Sequence, residues 1–180
     1  MTNWGDCVTG EQCIQNANIN ELIGIPYSKL DCQALIEKIL MRGGIQCKNF
    51  RGSNHMWREM VTNRRDKYTN IKPGTILFSV KLDGGEKKRG YKDSYGNACH
   101  VGMYVGEGYE GNVIHSTSGG VQWDDISSSR WNWAADCIYF DVDHIENSQA
   151  DFEQYFSDFI EELEKLISKY KIGGKANDSE

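Results

Sequence analysis

The chain has 180 residues, 39% hydrophobic and 26% charged, with a formal net charge of −6. That length suffices for one domain with a sizeable core, and the acidic balance argues against unguided adhesion to nucleic acid or anionic membrane. No run approaches the roughly 18 apolar residues of a membrane span, and the opening MTNWGDCVTGEQC has neither the basic nor the apolar segment of an ordinary secretion signal.

Residues 1–23 are polar and Asn-rich and predict an irregular or short helical lead-in. The next stretch, GIPYSKLDCQALIEKIL (24–40), opens as a loop and closes as a helix. Ala34, Leu35, Ile36, Ile39 and Leu40 recur at helical spacing, and Arg42-Gly43-Gly44 ends the run. Residues 48–70 are mixed and basic, predicting a short helix over 55–61 and then a solvated loop.

Pro73-Gly74 signals a turn, and the apolar, β-branched run 75–80 predicts a strand. Residues 83–98 have loop composition. CHVGMYVG (99–106) and NVIHSTS (112–118) predict a hairpin closed by GEGYEG, followed by strands at 121–123 and 135–143. One helix followed by four or five strands implies an α+β fold with a largely antiparallel sheet.

The final segment, DFEQYFSDFIEELEKLISKY (151–170), predicts an amphipathic helix. Its broad aromatic face either docks on its own domain or serves self-association or a partner. The expected organisation is a domain over 1–148, an added helix over 149–171 and a disordered tail over 172–180.

Six cysteines stand at 7, 13, 32, 47, 99 and 137. They form no CxxC pair and fit no zinc-module spacing. Without a secretion signal, reduced thiols are the default, with a Cys7–Cys13 disulfide as the alternative.

Cys32 follows Asp31 at the start of the predicted helix. If Asp31 caps the helix, Cys32 occupies the first turn, where unpaired N–H groups and the helix dipole favour a thiolate. A nucleophilic thiol also needs a base. On a strand, His100, Gly102 and Tyr104 share one face, and the absent side chain of Gly102 leaves room beside the imidazole. His115 lies on the neighbouring strand, within reach of the far nitrogen of His100. Cys32, His100 and His115 thus have the logic of a triad: nucleophile, base, and a group that orients the base.

Each residue also has a plainer reading. A cysteine on an amphipathic helix usually packs as core, and a strand histidine is usually structural, the class assigned to His55 and His144. A zinc site from Cys99, His100 and His115 is disfavoured, because adjacent strand residues point to opposite faces.

The motifs, in order, resemble those of the NlpC-type cell-wall peptidases, a papain-like family of cysteine endopeptidases. DCQALIEKIL resembles its D-C-S-G-L helix, IKPGTILFSV its L-x-P-G-D-L-x-F-F strand, and HVGMYVG its H-V-G-I-Y-V-G motif; VIHSTSGGVQ resembles the F-I-H-A segment, and PYSKLDC echoes a Pro-Tyr ahead of the nucleophile. The resemblance spans 24–140 and implies a papain-like fold with the nucleophile helix on a central antiparallel sheet. It implies Cys32 as nucleophile, His100 as base and His115 as orienting residue, with Tyr27 lining the site; Asp31, Gln33 and Gly102 are further candidates for binding substrate or lining the site. The implied substrate is the stem peptide of peptidoglycan, cut next to γ-D-glutamate, with no metal or organic cofactor.

Departures surround the cleft: Gln33-Ala34 replaces Ser-Gly, the Trp-Gly-Gly after Pro-Tyr is missing, Thr75 replaces an aspartate, and the turn carrying Tyr109 is longer. They bear on the bond cleaved more than on the thiol chemistry. The same architecture supports amidases that cut between glycan and peptide, and acyltransferases. A non-catalytic phage tail module is the alternative outside enzymology. A compact wall hydrolase without a secretion signal or wall-binding repeat resembles a phage or prophage product, an endolysin or tail-associated hydrolase.

Overall fold

The computed structural model describes residues 8–81 and 96–140, together with Ile160 and Ile167. The chain divides into a first unit, Met1–Asp141, and a second, Val142–Glu180. The helix expected over 151–170 and the tail lie outside the described residues, except that Ile160 and Ile167 are helical and exposed. His144 and the 83–95 part of the expected loop also lie outside them.

In the first unit the described part of the lead-in is helical, the second of the two readings expected for residues 1–23. Helix α1 (Gly10–Ala17) begins with a capping box, in which the Thr9 side chain accepts from Gln12 N–H and the Gln12 side chain accepts from Thr9 N–H. It buries Cys13, Ile14 and Ala17, and a 3₁₀ turn over Ile19–Leu22 buries Ile19 and Leu22. Few apolar residues are present, but they fall on one face, and that suffices.

Helix α2 (Cys32–Arg42) is the central support. Leu35, Ile36, Ile39 and Leu40 are fully buried, each contributing about 2 kcal/mol by removal from water. The helix stops at Gly43, where any added Cβ would collide with the Cys13 sulfur. Helix α3 (Ser53–Glu59) lies near the expected span, but the solvated loop expected after it is instead strand β1 (Val61–Arg65). Its VTNRR lacks an apolar alternation because only Val61 is buried. Side-chain contacts hold it: Arg65 pairs with Asp136 at 2.7 Å, and the Arg64 guanidinium lies 4.9 Å from the Trp57 ring centre.

The remaining strands are β2 (Ile76–Lys81), β3 (Asn97–Tyr104), β4 (Val113–Thr117), β5 (Gly120–Asp124) and β6 (Trp133–Cys137). The last starts two residues before the expected 135 and ends at Cys137, with 138–140 outside it; residues 141–143 of the expected strand lie outside the described residues. All pairings are antiparallel, and the six strands run in the order β1-β6-β2-β3-β4-β5. The expected hairpin is β3–β4, and the fold is α+β as expected.

Alternation divides the sheet into two buried faces. Phe78, Val101, Met103 and Ile114 join the core formed with α1 and α2. Leu77, Val113, Ala134 and the loop residue Trp131 form a smaller cluster apart from that core. Between β2 and β3 the register skips from Ser79↔His100 to Val80↔Ala98, leaving Cys99 as an extra residue. This bulge sits directly before His100, and bulges re-aim the side chains beside them.

Candidate active site

Asp31 caps α2, its Oδ1 accepting from Ala34 N–H at 2.8 Å, and so puts Cys32 on the first turn. Two strands hold the segment that leads there. Ser116 Oγ donates to Leu30 C=O at 2.5 Å. Further upstream, Val121 N–H donates to Ile25 C=O at 2.9 Å and Gly24 N–H to Val121 C=O at 2.8 Å. The β4–β5 pair therefore carries both His115 and the anchors of the loop that leads to Cys32.

Cys32 is 7% exposed. The Val101 N–H, the Tyr27 hydroxyl and the Gln33 N–H stand near its sulfur and favour its anion. β3 pairs with β4 only from Gly102 onward, and the N–H of Val101, just short of that point, stands near the sulfur. The sulfur thus lies beside the chain neighbour of His100.

The expectation of a resting thiolate is corrected. Burial pushes the Cys32 thiol up, the Asp31 charge adds to this, and the three donors lower it only in part. Desolvation of a small anion outweighs the favourable helix start.

His100 Nε2 stands 2.9 Å from His115 Nδ1. The contact is diagonal, since His115 is registered opposite Gly102. Burial pulls both imidazoles down, from 6.5 to about 4. For His100 the neighbouring His115 and Arg130 lower it further while Asp124 opposes them. Both rings are therefore neutral at neutral pH, and one of the two facing nitrogens donates to the other.

The space beside the His100 ring, expected from the missing side chain of Gly102, is occupied by Trp131. The indole stacks on His100 with ring centres 5.4 Å apart and meets His115 edge-on at 5.4 Å. A Cβ on residue 102 would come within 2.7 Å of Trp131. Gly102 thus serves the site by admitting the indole.

Tyr27 is 41% exposed beside the sulfur. Gln33 points its amide oxygen at Gly52 N–H, 2.8 Å away, and so tethers the loop ahead of α3 to α2. His55 is structural in this geometry, accepting from Arg51 N–H and pairing with Glu59. Among the described residues no group of three or more His, Cys, Asp or Glu could hold a metal ion.

Sequence reasoning missed the residues outside the histidine pair. Gln122 Nε2 lies 3.3 Å from His115 Nε2, Asp124 Oδ2 lies 3.8 Å from the same nitrogen, and Arg130 Nε lies 3.4 Å from Asp124 Oδ2. One signal for Gln122 was present: closing a tight hairpin at Ser118-Gly119 and counting outward pairs residue 115 with 122. Trp131 and Arg130 come from a loop, and no periodicity pointed to them.

The sequence model of the NlpC/P60 family matches residues 21–139, well over half of the chain. The chain belongs to the NlpC/P60 family. Its function is accordingly of the cell-wall peptidase type, in a family that is generally one of cysteine hydrolases. The NlpC/P60 match takes in Tyr27, Cys32, His100 and His115, together with α2 and all six strands. No curated protein matches the chain.

Proposed function

We propose that this NlpC/P60 protein is an endopeptidase that cuts peptidoglycan stem peptides next to γ-D-glutamyl bonds, with Cys32 as nucleophile, His100 as general base and His115 as the residue that orients the base. The observation that carries this reading is the 2.9 Å contact between His100 Nε2 and His115 Nδ1. It occupies the far nitrogen of His100 and leaves Nδ1 without a hydrogen bond among the described residues, on the residue whose neighbour Val101 stands near the Cys32 sulfur.

The resting pair is a neutral thiol and a neutral imidazole, so the proton moves during attack. The Cys32 proton passes to His100 Nδ1 as the sulfur bonds to the scissile carbonyl carbon. The Cys32 N–H, at the open start of α2, favours the resulting oxyanion. His100 then protonates the departing amine, leaving a thioester. Water, deprotonated by His100, attacks that thioester and releases the second product and the thiol.

Substitution Cys32→Ala should abolish cleavage of purified peptidoglycan while leaving the circular dichroism spectrum unchanged; a fully active variant would refute the assignment. Mass spectrometry of the wild-type digest should show new peptide termini next to γ-D-glutamate. Free lactyl groups paired with new L-alanine amino termini would instead identify an amidase, and acyl transfer without hydrolysis a transferase.

A further inference from the structure

The protonation pattern of the histidine pair is set from outside it. His115 is fully buried, and its outer nitrogen, Nε2, faces two polar side chains of β5: the Gln122 amide nitrogen at 3.3 Å and Asp124 Oδ2 at 3.8 Å. The two make opposite demands. An ionised carboxylate only accepts hydrogen bonds, so it requires a proton on that nitrogen. An amide nitrogen only donates, so it requires a lone pair there. A half-turn of the amide presents its oxygen instead, at no cost in shape. Gln122 can therefore follow either pattern, whereas Asp124 cannot.

Each choice propagates along the pair. If His115 carries its proton on Nε2, its Nδ1 is a lone pair that accepts from His100 Nε2–H. His100 Nδ1 is then a lone pair, able to take the thiol proton. If Gln122 donates to His115 Nε2, the order reverses. His115 Nδ1–H then donates to His100 Nε2, and His100 holds a proton on Nδ1, where no base remains.

Asp124 is placed to decide. Its Oδ2 is buried and makes no hydrogen bond among the described residues, while Oδ1 accepts from Asp125 N–H at 2.9 Å. Arg130 Nε, 3.4 Å away, balances its charge. A buried carboxylate oxygen without a regular donor favours a proton on the nitrogen it faces.

We propose that Asp124, braced by Arg130, is a positioning residue that holds His115 in the Nε2–H form and so keeps Nδ1 of His100 free to act as the base. This rests on the peptidase reading for its catalytic consequence, though not for the tautomer itself. It extends the site to four residues in line, from Cys32 through His100 and His115 to Asp124. Gln122 takes the carbonyl-inward orientation and shares the Nε2 proton.

The test is long-range proton–nitrogen spectroscopy of protein labelled with ¹⁵N-histidine, which distinguishes Nδ1–H from Nε2–H rings. Wild-type protein should show His100 and His115 both protonated on Nε2. In Asp124→Asn, whose amide can donate, His115 should shift wholly or partly to Nδ1–H. The kcat should fall roughly ten- to a hundredfold with KM little changed, a smaller loss than for a wrong tautomer at the base itself. Asp124→Ala, which removes both donor and acceptor, should give mixed tautomers and an intermediate kcat. A wild-type His115 protonated on Nδ1 overturns the proposal, as does an Asp124→Asn protein with unchanged spectra. The spectra are taken on folded protein without substrate, so they judge Asp124 even if the wild type cuts no wall peptide. That outcome would count against the peptidase reading instead.

Discussion

At the scale of single residues, burial outweighs the helix start. Cys32 has the cap, the dipole and three nearby donors, yet its thiol lies above the ordinary range because the anion would be desolvated. The histidines show the same effect with the opposite sign, since their charged form is the protonated one. A base needs its lone pair, so a His100 lowered to about 4 remains competent well below the pH at which an ordinary histidine is protonated. The kcat/KM of the wild type should stay level from neutral pH to about 5 and fall with a midpoint near 4; a midpoint near 6.5 would show that the ring is not held neutral. Stability follows the same sign. The unfolded chain binds these protons first, so the contribution of the pair is complete above 6.5 and is lost as pH falls toward about 4. His115→Ala should cost activity heavily, because it leaves His100 Nε2 unpaired and opens a void beside Trp131. His115→Asn, which can still meet that nitrogen, should retain more, and kcat measured side by side checks the ranking.

At the scale of elements, strand alternation does the positioning. His115 and Ser116 are adjacent on β4 and point to opposite faces. One side chain reaches His100, and the other reaches Leu30, two residues before Cys32. Ser116→Ala should cost about 1 kcal/mol of stability through the lost hydrogen bond. It should also lower kcat, because the loop that presents Cys32 loses an anchor; unchanged kcat at lowered melting temperature would confine Ser116 to stability. On β3, Gly102→Ala drives a methyl group into the Trp131 indole, and overpacking of this kind typically costs about 1–3 kcal/mol. Thermal denaturation should register that loss, together with reduced activity as the indole shifts against His100. An unshifted melting temperature would mean that the indole yields without cost.

At the scale of the whole molecule, the family match ends at residue 139, within the Met1–Asp141 unit. All the candidate site residues belong to that unit. A chain ended after Asp141 should therefore keep cleavage activity close to that of the full chain, as measured on purified peptidoglycan; a loss greater than about tenfold, some 1.4 kcal/mol in kcat/KM, would assign the Val142–Glu180 unit a part in the reaction.

Much of this was legible in the linear chain because the signals are local. A capping aspartate before an apolar helical run fixes where Cys32 sits, and an apolar alternation fixes which neighbours of His100 face the core; both depend on residues a few positions apart. Strand β1 escaped notice because its support comes from distant partners, Asp136 and Trp57, and VTNRR carries no alternation of its own. The lead-in stays open between irregular and helical in the sequence because its few apolar residues gain their weight only against α2. The ionisation of Cys32 was misjudged for a related reason: the helix start is written in the sequence, but desolvation is a property of everything packed around the sulfur. Sequence alone determined the helix that starts at Cys32, the hairpin that carries the two histidines and the family to which the chain belongs. Only the tertiary structure decided the protonation states and brought Trp131, Gln122, Asp124 and Arg130 around the pair, because dielectric environment and contacts between separate strands and loops exist only once the chain has folded.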